Sequence, residues 1–165
     1  MRTEKELSTF LDSPATKYAH EYVYPGGDKK TQPRVAIAIV NNNILYVIKR
    51  GALCKNAGKY GLITGRVDVG ETHLQAAVRE FEEETTVKLR PEVLRFSFAG
   101  DHKGAMVTYY EVDVSSFSTL RLQHTAEVEA YAELHELPAE AELHYSTQQF
   151  LETWDACGRL FKRRD

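Results

Sequence analysis

The sequence predicts an α/β fold built as one domain around a single core. Three observations point there. Two β-branched runs, residues 35–40 and 44–48, are separated only by asparagines. A stretch free of Gly and Pro, residues 72–85, carries apolar side chains at helical spacing. Two further alternating runs and an amphipathic C-terminal segment follow. At 165 residues and 42% apolar composition, the chain can bury one sizeable core, and two independent ones are not expected.

Along the chain, Leu7, Phe10 and Leu11 recur at helical spacing and stop before Pro14, which predicts a short helix over residues 3–11. Residues 24–33, with Gly26, Gly27 and Asp28, read as a loop. Residues 1–33 are thus expected to be an appendage to a domain spanning 34–165. The first two strands should form a hairpin, because Asn41, Asn42 and Asn43 tolerate the left-handed backbone that tight turns need. Residues 51–59 read as a loop and 60–64 as one short strand. The helix over 72–85 turns Leu74, Ala77, Val78 and Phe81 inward. Beyond it, residues 93–99 and 105–114 read as a strand pair joined by a turn over 100–104, and residues 127–137 as a strand running into a turn before Pro138. Ser146 and Gln149 fit a capping box that opens a last helix. Phe150, Leu151, Trp154, Cys157 and Phe161 fall on one face of it. Lys162, Arg163 and Arg164 suit a solvated helix end that complements the dipole, better than an anion site.

The formal net charge of -3 argues against a protein that lives on nucleic-acid backbones, which call for a basic face. A nucleotide ligand would have to be met by local charge or by metal. Cys54 and Cys157 fit neither a metal spacing nor a disulfide framework, so two free thiols are expected. No signal-peptide pattern opens the chain and no apolar run is long enough to span a bilayer. The expectation is a cytoplasmic protein without membrane contact.

The helix over 72–85 carries the chemistry. At roughly 100° per residue, Glu80, Glu83 and Glu84 lie within about a third of a turn of one another, whereas Glu82 points nearly the opposite way. Convergent carboxylates repel and raise one another's pKa unless a cation neutralises them. An oxygen-only donor set suits Mg²⁺ or Mn²⁺. The glutamate run taken alone reads as a wet helix face rather than a site.

Its surroundings decide between the two. Gly65, five residues, Glu71, seven residues, Arg79 with Glu80 to Glu84, two residues and Val87 make a pattern that strongly resembles the Nudix box of the Nudix hydrolases. The resemblance covers residues 65–87, about a seventh of the chain, and the order of elements around it is similar to the family's α/β/α sandwich on a mixed sheet. It implies that Glu80, Glu83 and Glu84 bind the catalytic metal, Mg²⁺ or Mn²⁺. It further implies that Arg79 with Glu71 ties the helix to its preceding loop, and that the Thr64 carbonyl is a further ligand. Glu83 is one candidate general base, and Glu127 and Glu129 match the region of a later loop that supplies it in other members. Thr86 replaces the usual Gly after the helix, and Thr64 a common Gly before the box. A β-branched residue is poorly suited to the left-handed conformation that ends many helices.

The resemblance implies hydrolysis of a pyrophosphate linkage in a nucleoside diphosphate joined to another group. No proline lies between Pro91 and Pro138, so the downstream proline common in ADP-ribose hydrolases is missing, and Tyr109 and Tyr110 come too late for the tyrosine of dinucleoside-polyphosphate hydrolases. A nucleoside triphosphate or a nucleotide sugar remains by default, with Tyr22, Tyr24, Tyr60 and Phe98 as candidates to stack a base. The rival classes are a non-catalytic nucleotide-sensing module on a Nudix scaffold and a capped-RNA hydrolase. The expected partner is a nucleotide small molecule, and a homodimer stays open.

Overall fold

The computed structural model describes residues 13–41, 44–51, 55–113, 115, 128–134 and 143–157, with the backbone alone for 128–134. The helix expected over residues 3–11 lies outside them, as do Asn42, Asn43, Cys54, Glu127, Phe161 and the terminal basic residues. The first described element is a helix the sequence reading did not anticipate, α1 (Pro14–Glu21), which Ser13 caps by accepting the Thr16 amide at 3.2 Å. Ser followed by Pro at the first helical position was its signal.

The strands are β1 (Arg34–Asn41), β2 (Ile44–Arg50), β3 (Tyr60–Gly61), β4 (Ile63–Arg66), β5 (Arg95–His102), β6 (Ala105–Asp113) and β7 (Val128–Leu134), joined in one seven-stranded sheet. Two helices sandwich it: α2 (His73–Thr85) on one face and α3 (Tyr145–Ala156) on the other. The predicted hairpin is β1–β2. β1 also pairs in parallel with β6, with Val35 opposite Thr108, so the sheet is mixed. Residues 60–64 are not one strand. The chain breaks at Leu62, and β3 pairs with the end of β2 while β4 pairs with the start of β1. The turn expected over 100–104 shrinks to Lys103 and Gly104, both at positive φ (52° and 86°), because β5 extends to His102 in register with Ala105.

The run Val35 to Val40 is continuously apolar because β1 is covered on both faces. Val35, Ile37 and Ile39 meet Ala76, Ala77 and Phe81 of α2. Ala36, Ala38 and Val40 face the other way, where small alanines leave room for Tyr109, Phe150 and Trp154. α2 opens with a full capping box: the Thr72 side chain accepts the Gln75 amide at 3.1 Å and the Gln75 side chain accepts the Thr72 amide at 2.9 Å.

Two details of α3 correct the sequence reading. Its N-cap is His144, not Ser146, and Ser146 lies fully buried in the first turn, where its Oγ accepts the Leu62 amide at 3.2 Å. Phe150, Leu151 and Trp154 are buried as expected, but Cys157 is exposed at the helix end. Residues 14–33 pack onto the core: the Tyr110 hydroxyl donates to the Ala19 carbonyl at 3.2 Å, and Val23 bridges to Thr72. Among the described residues no helix is long and apolar enough to cross a membrane.

Candidate active site

Gly65 and Glu80 fix where α2 lies. Gly65 sits opposite Val35 on the α2 face of the sheet, and a Cβ there would stand 1.9 Å from the Glu80 Cδ. The absent side chain is therefore a cradle for the Glu80 carboxylate. The loop into the helix closes on itself, with the Asp68 amide donating to Glu71 Oε1 at 2.9 Å and the Glu71 amide to the Asp68 carbonyl at 3.0 Å.

Arg79 organises this corner. Its Nε and one terminal nitrogen make a bidentate pair with Glu71, each at 2.9 Å, and that same nitrogen donates to the Arg66 carbonyl at 2.9 Å. The other terminal nitrogen donates to Glu80 Oε1 at 2.9 Å and meets both Glu83 oxygens at 3.3 Å. The Glu71 hydrogen bond raises the Arg79 pKa above its ordinary value more than burial lowers it. For Glu71, burial pushes upward but is outweighed by hydrogen bonds from Arg79 and the Asp68 amide, so its pKa is lowered. Both groups are charged at neutral pH.

The expected acidic residues divide as follows. Glu80 and Glu83 come together on Arg79, Glu84 is buried at 5% exposure, and Glu82 is exposed, as its angular position predicted. Among the described residues no three His, Cys, Asp or Glu side chains are grouped closely enough to hold a metal ion. The donor chemistry nonetheless fits a hard divalent cation, since Glu80, Glu83 and Glu84 share one helix and the Gly65 cradle admits a carboxylate. Glu129 occupies the irregularity in β7, where Lys49 faces Ala130 and Arg50 faces Val128, so no β2 residue pairs with it. Glu127 lies outside the described residues.

Thr64 alternates with Gly65 and pairs with Ala36, so it belongs to the opposite face of the sheet. There it lines a cleft of about 560 Å³ that the sequence reading missed. Six cationic residues surround it: Lys30, Arg34, Arg50, Lys55, Lys59 and Lys103. None of its described lining residues is acidic. At its wall His102 stacks on Tyr145, with ring centroids 3.5 Å apart and planes 6° from parallel. His144, also at the wall, is pushed down to about 3 by burial and then by the charges of Arg50, His102, Lys59 and Arg34. Its Nδ1 accepts the Ser146 amide at 3.3 Å, as a neutral ring does.

The aromatic residues proposed to stack a base are elsewhere. Tyr22 stacks on Tyr18, Tyr24 is buried in the core, and Phe98 stacks on Tyr109, while Tyr60 packs against the α3-side core. The cleft escaped the sequence because its residues come from separate segments of chain.

A family model described as NUDIX domain matches residues 30–153. No curated protein matches the chain in sequence. Among solved structures, a MutT NUDIX hydrolase from Burkholderia pseudomallei is 27% identical with a TM-score of 0.59, over 73% of this chain and 95% of that one. A MutT/nudix family protein from Enterococcus faecalis is 16% identical (TM-score 0.54), over 81% of this chain. A bifunctional NMN adenylyltransferase/ADP ribose pyrophosphatase from Francisella tularensis, complexed with AMP and a Mn ion, is 17% identical (TM-score 0.59), over 92% of this chain. The match spans only 56% of the Enterococcus chain and 52% of the Francisella one.

Proposed function

This chain belongs to the NUDIX family and is by family a Nudix pyrophosphohydrolase, and on that premise we propose that it cleaves a pyrophosphate linkage in a nucleoside diphosphate joined to another group, using Mg²⁺ or Mn²⁺. The observation that carries the reading is the Arg79 cluster. One guanidinium ties Glu71 of the loop to Glu80 and Glu83 of α2, and Gly65 leaves space for the Glu80 carboxylate.

Glu80, Glu83 and Glu84 would hold the metal, with the Thr64 carbonyl as a further ligand. Such an ion supplies an activated water and draws charge from the phosphate oxygens. The protein's own part is positional. Arg79 fixes the rotamers of Glu80 and Glu83, and its link to the Arg66 carbonyl keeps α2 in register with β4. Glu83, the most exposed of the Arg79-paired glutamates on the helix, is the candidate to take the proton from the attacking water. Glu129 is the alternative base, supported by its place in the β7 bulge.

The test is a screen of nucleoside triphosphates, nucleotide sugars, ADP-ribose, dinucleoside polyphosphates and capped RNA with each metal, identifying products by mass. Glu83→Gln should lower turnover by about a thousandfold while leaving the thermal transition nearly unchanged. Equal turnover of wild type and variant would remove Glu83 from the mechanism. Binding without turnover of any substrate would identify a sensing module instead.

A further inference from the structure

The basic cleft has more positive charge than a diphosphate held on α2 would call for. The six cations come from five stretches of chain: the 3-10 turn before β1 (Lys30), the start of β1 (Arg34), the end of β2 (Arg50), the following loop (Lys55 and Lys59) and the β5–β6 turn (Lys103). The ion pairs found among the described residues all belong to Arg79, so none of them neutralises these six. Like charges gathered around one cavity destabilise the empty protein, and a cleft of one sign with low-dielectric walls concentrates counter-ions of the other. The clustering is local, because the chain as a whole carries a formal charge of -3.

Resting on the hydrolase reading above, we infer that this cleft is a polyphosphate site, binding phosphoryl groups of the substrate other than the two held on α2. The substrate class is then a nucleotide with three or more phosphoryl groups, in preference to a nucleotide sugar. A sugar diphosphate would place a neutral group among six cations, whereas a longer phosphate chain gives each lysine or arginine an acceptor oxygen. Thr64 supports the assignment: it lines the cleft, and its neighbour Gly65 cradles Glu80, so one strand links the two sites. The volume lies within the roughly 300–1,000 Å³ usual for small-molecule sites, and the His102–Tyr145 stack offers a flat wall beside the charges.

The direct probe is inorganic tripolyphosphate, titrated calorimetrically into the full chain with EDTA present, so that no divalent metal contributes. Lys30, Lys55 and Lys103 are exposed, and the triple variant Lys30→Gln/Lys55→Gln/Lys103→Gln should weaken tripolyphosphate binding by about tenfold or more. A control of equal net charge, Lys17→Gln/Lys88→Gln/Arg90→Gln, alters exposed cations that do not line the cleft and should change binding less than about twofold. Replacing the same three cleft lysines by arginine should retain the affinity, which separates charge from a folding defect. The inference is overturned if both glutamine triples bind alike, or if wild type fails to bind tripolyphosphate while still turning over a substrate with metal. It is also overturned if a nucleotide sugar is cleaved with higher kcat/KM than the matching nucleoside triphosphate. Tripolyphosphate binding that responds to the cleft lysines, in a protein that turns over no substrate, would sustain the anion site and remove the hydrolase reading.

Discussion

The two faces of the sheet carry opposite charge and were assembled in opposite ways. On the α2 face, carboxylates gather on Arg79, and all of them come from one continuous stretch that includes Glu71, Glu80, Glu83 and Glu84. On the α3 face, six cations ring a cleft, drawn from segments between Lys30 and Lys103. Each face also has a glycine pressed closely by a side chain from within a helix: Gly65 under Glu80 and Gly100 under Gln149. A helix and its loop can encode a site by local spacing, whereas the cleft exists only once the sheet has brought distant strands together.

The two glycines give the sharpest way to break that comparison. At Gly65 the added methyl would stand 1.9 Å from the Glu80 Cδ, against the carboxylate that Arg79 holds. Gly65→Ala should therefore displace Glu80 and lower turnover by about a hundredfold or more, as misplacement near the reacting atoms does. At Gly100 the nearest atom is the Gln149 Nε2 at 2.5 Å, the end of a flexible side chain. Gly100→Ala should cost about 1 kcal/mol of stability, because Gln149 would give up its bonds to the Tyr109 hydroxyl and the Asp101 carbonyl. Steady-state kinetics beside urea unfolding reads both. Comparable losses of turnover would erase the division between a catalytic face and a binding face.

Arg79→Lys tests whether the acidic face depends on geometry or on charge. A single ammonium cannot reproduce the fork that reaches Glu71, Glu80, Glu83 and the Arg66 carbonyl together. Turnover should fall about tenfold to a hundredfold, with kcat affected more than KM, since Arg79 positions the carboxylates without lining the cleft. A rise in KM alone would instead connect Arg79 to substrate binding.

What was legible in the sequence follows the same division. The β1–β2 hairpin, the α2 helix and the outward Glu82 were readable because period and spacing act over a few residues, whereas the Glu71–Arg79 pair was implied by the resemblance to the Nudix box. The capping box at Thr72 and Gln75 was equally local and was overlooked, whereas the box proposed at Ser146 gave way to His144 because Ser146 Oγ is engaged by the distant Leu62 amide. The split of residues 60–64 at Leu62 depends on which neighbour each half meets, and the cleft on five segments at once. Neither leaves a local signal.

Acid separates the buried histidines from Glu71 by pH window. His144 has a folded pKa of about 3, below its value in the unfolded chain, so the unfolded state binds more protons between the two. Its contribution to stability is full above the unfolded value of about 6.5 and is lost as pH falls from there. Glu71 is also lowered, but from a carboxylate's value, so its contribution is lost only further down, as pH falls through its folded pKa. Urea midpoints should therefore decline from about pH 6.5 downward, before Glu71 is protonated. His73, buried in α2 with a lowered pKa, adds to the same window. His144→Asn keeps a good N-cap and removes the titrating ring, so the slope below pH 6.5 should become shallower. An unchanged slope would assign the effect to the other histidines whose pKa burial lowers, His20, His73 and His102.

The smallest effect comes from two of the three described non-glycine residues that hold left-handed backbone, one at a turn on either face. Thr86 closes α2 at φ 66°, with its amide donating to the Glu82 carbonyl at 2.8 Å, and Lys103 turns the β5–β6 hairpin at φ 52°. Glycine relieves the Cβ clash at either position, and its greater unfolded entropy offsets part of the gain, leaving about 0.5–1 kcal/mol. Thr86→Gly should raise the thermal midpoint by a few degrees, with turnover within about twofold, because the strain sits beyond Glu84 at the helix end. Lys103→Gly should stabilise the fold by a similar amount yet weaken tripolyphosphate binding, because it also removes a cleft cation. If Thr86→Gly changed turnover as strongly as Gly65→Ala, the left-handed threonine would be setting the register of the carboxylates. The acidic face would then depend on its far end as much as on its cradle.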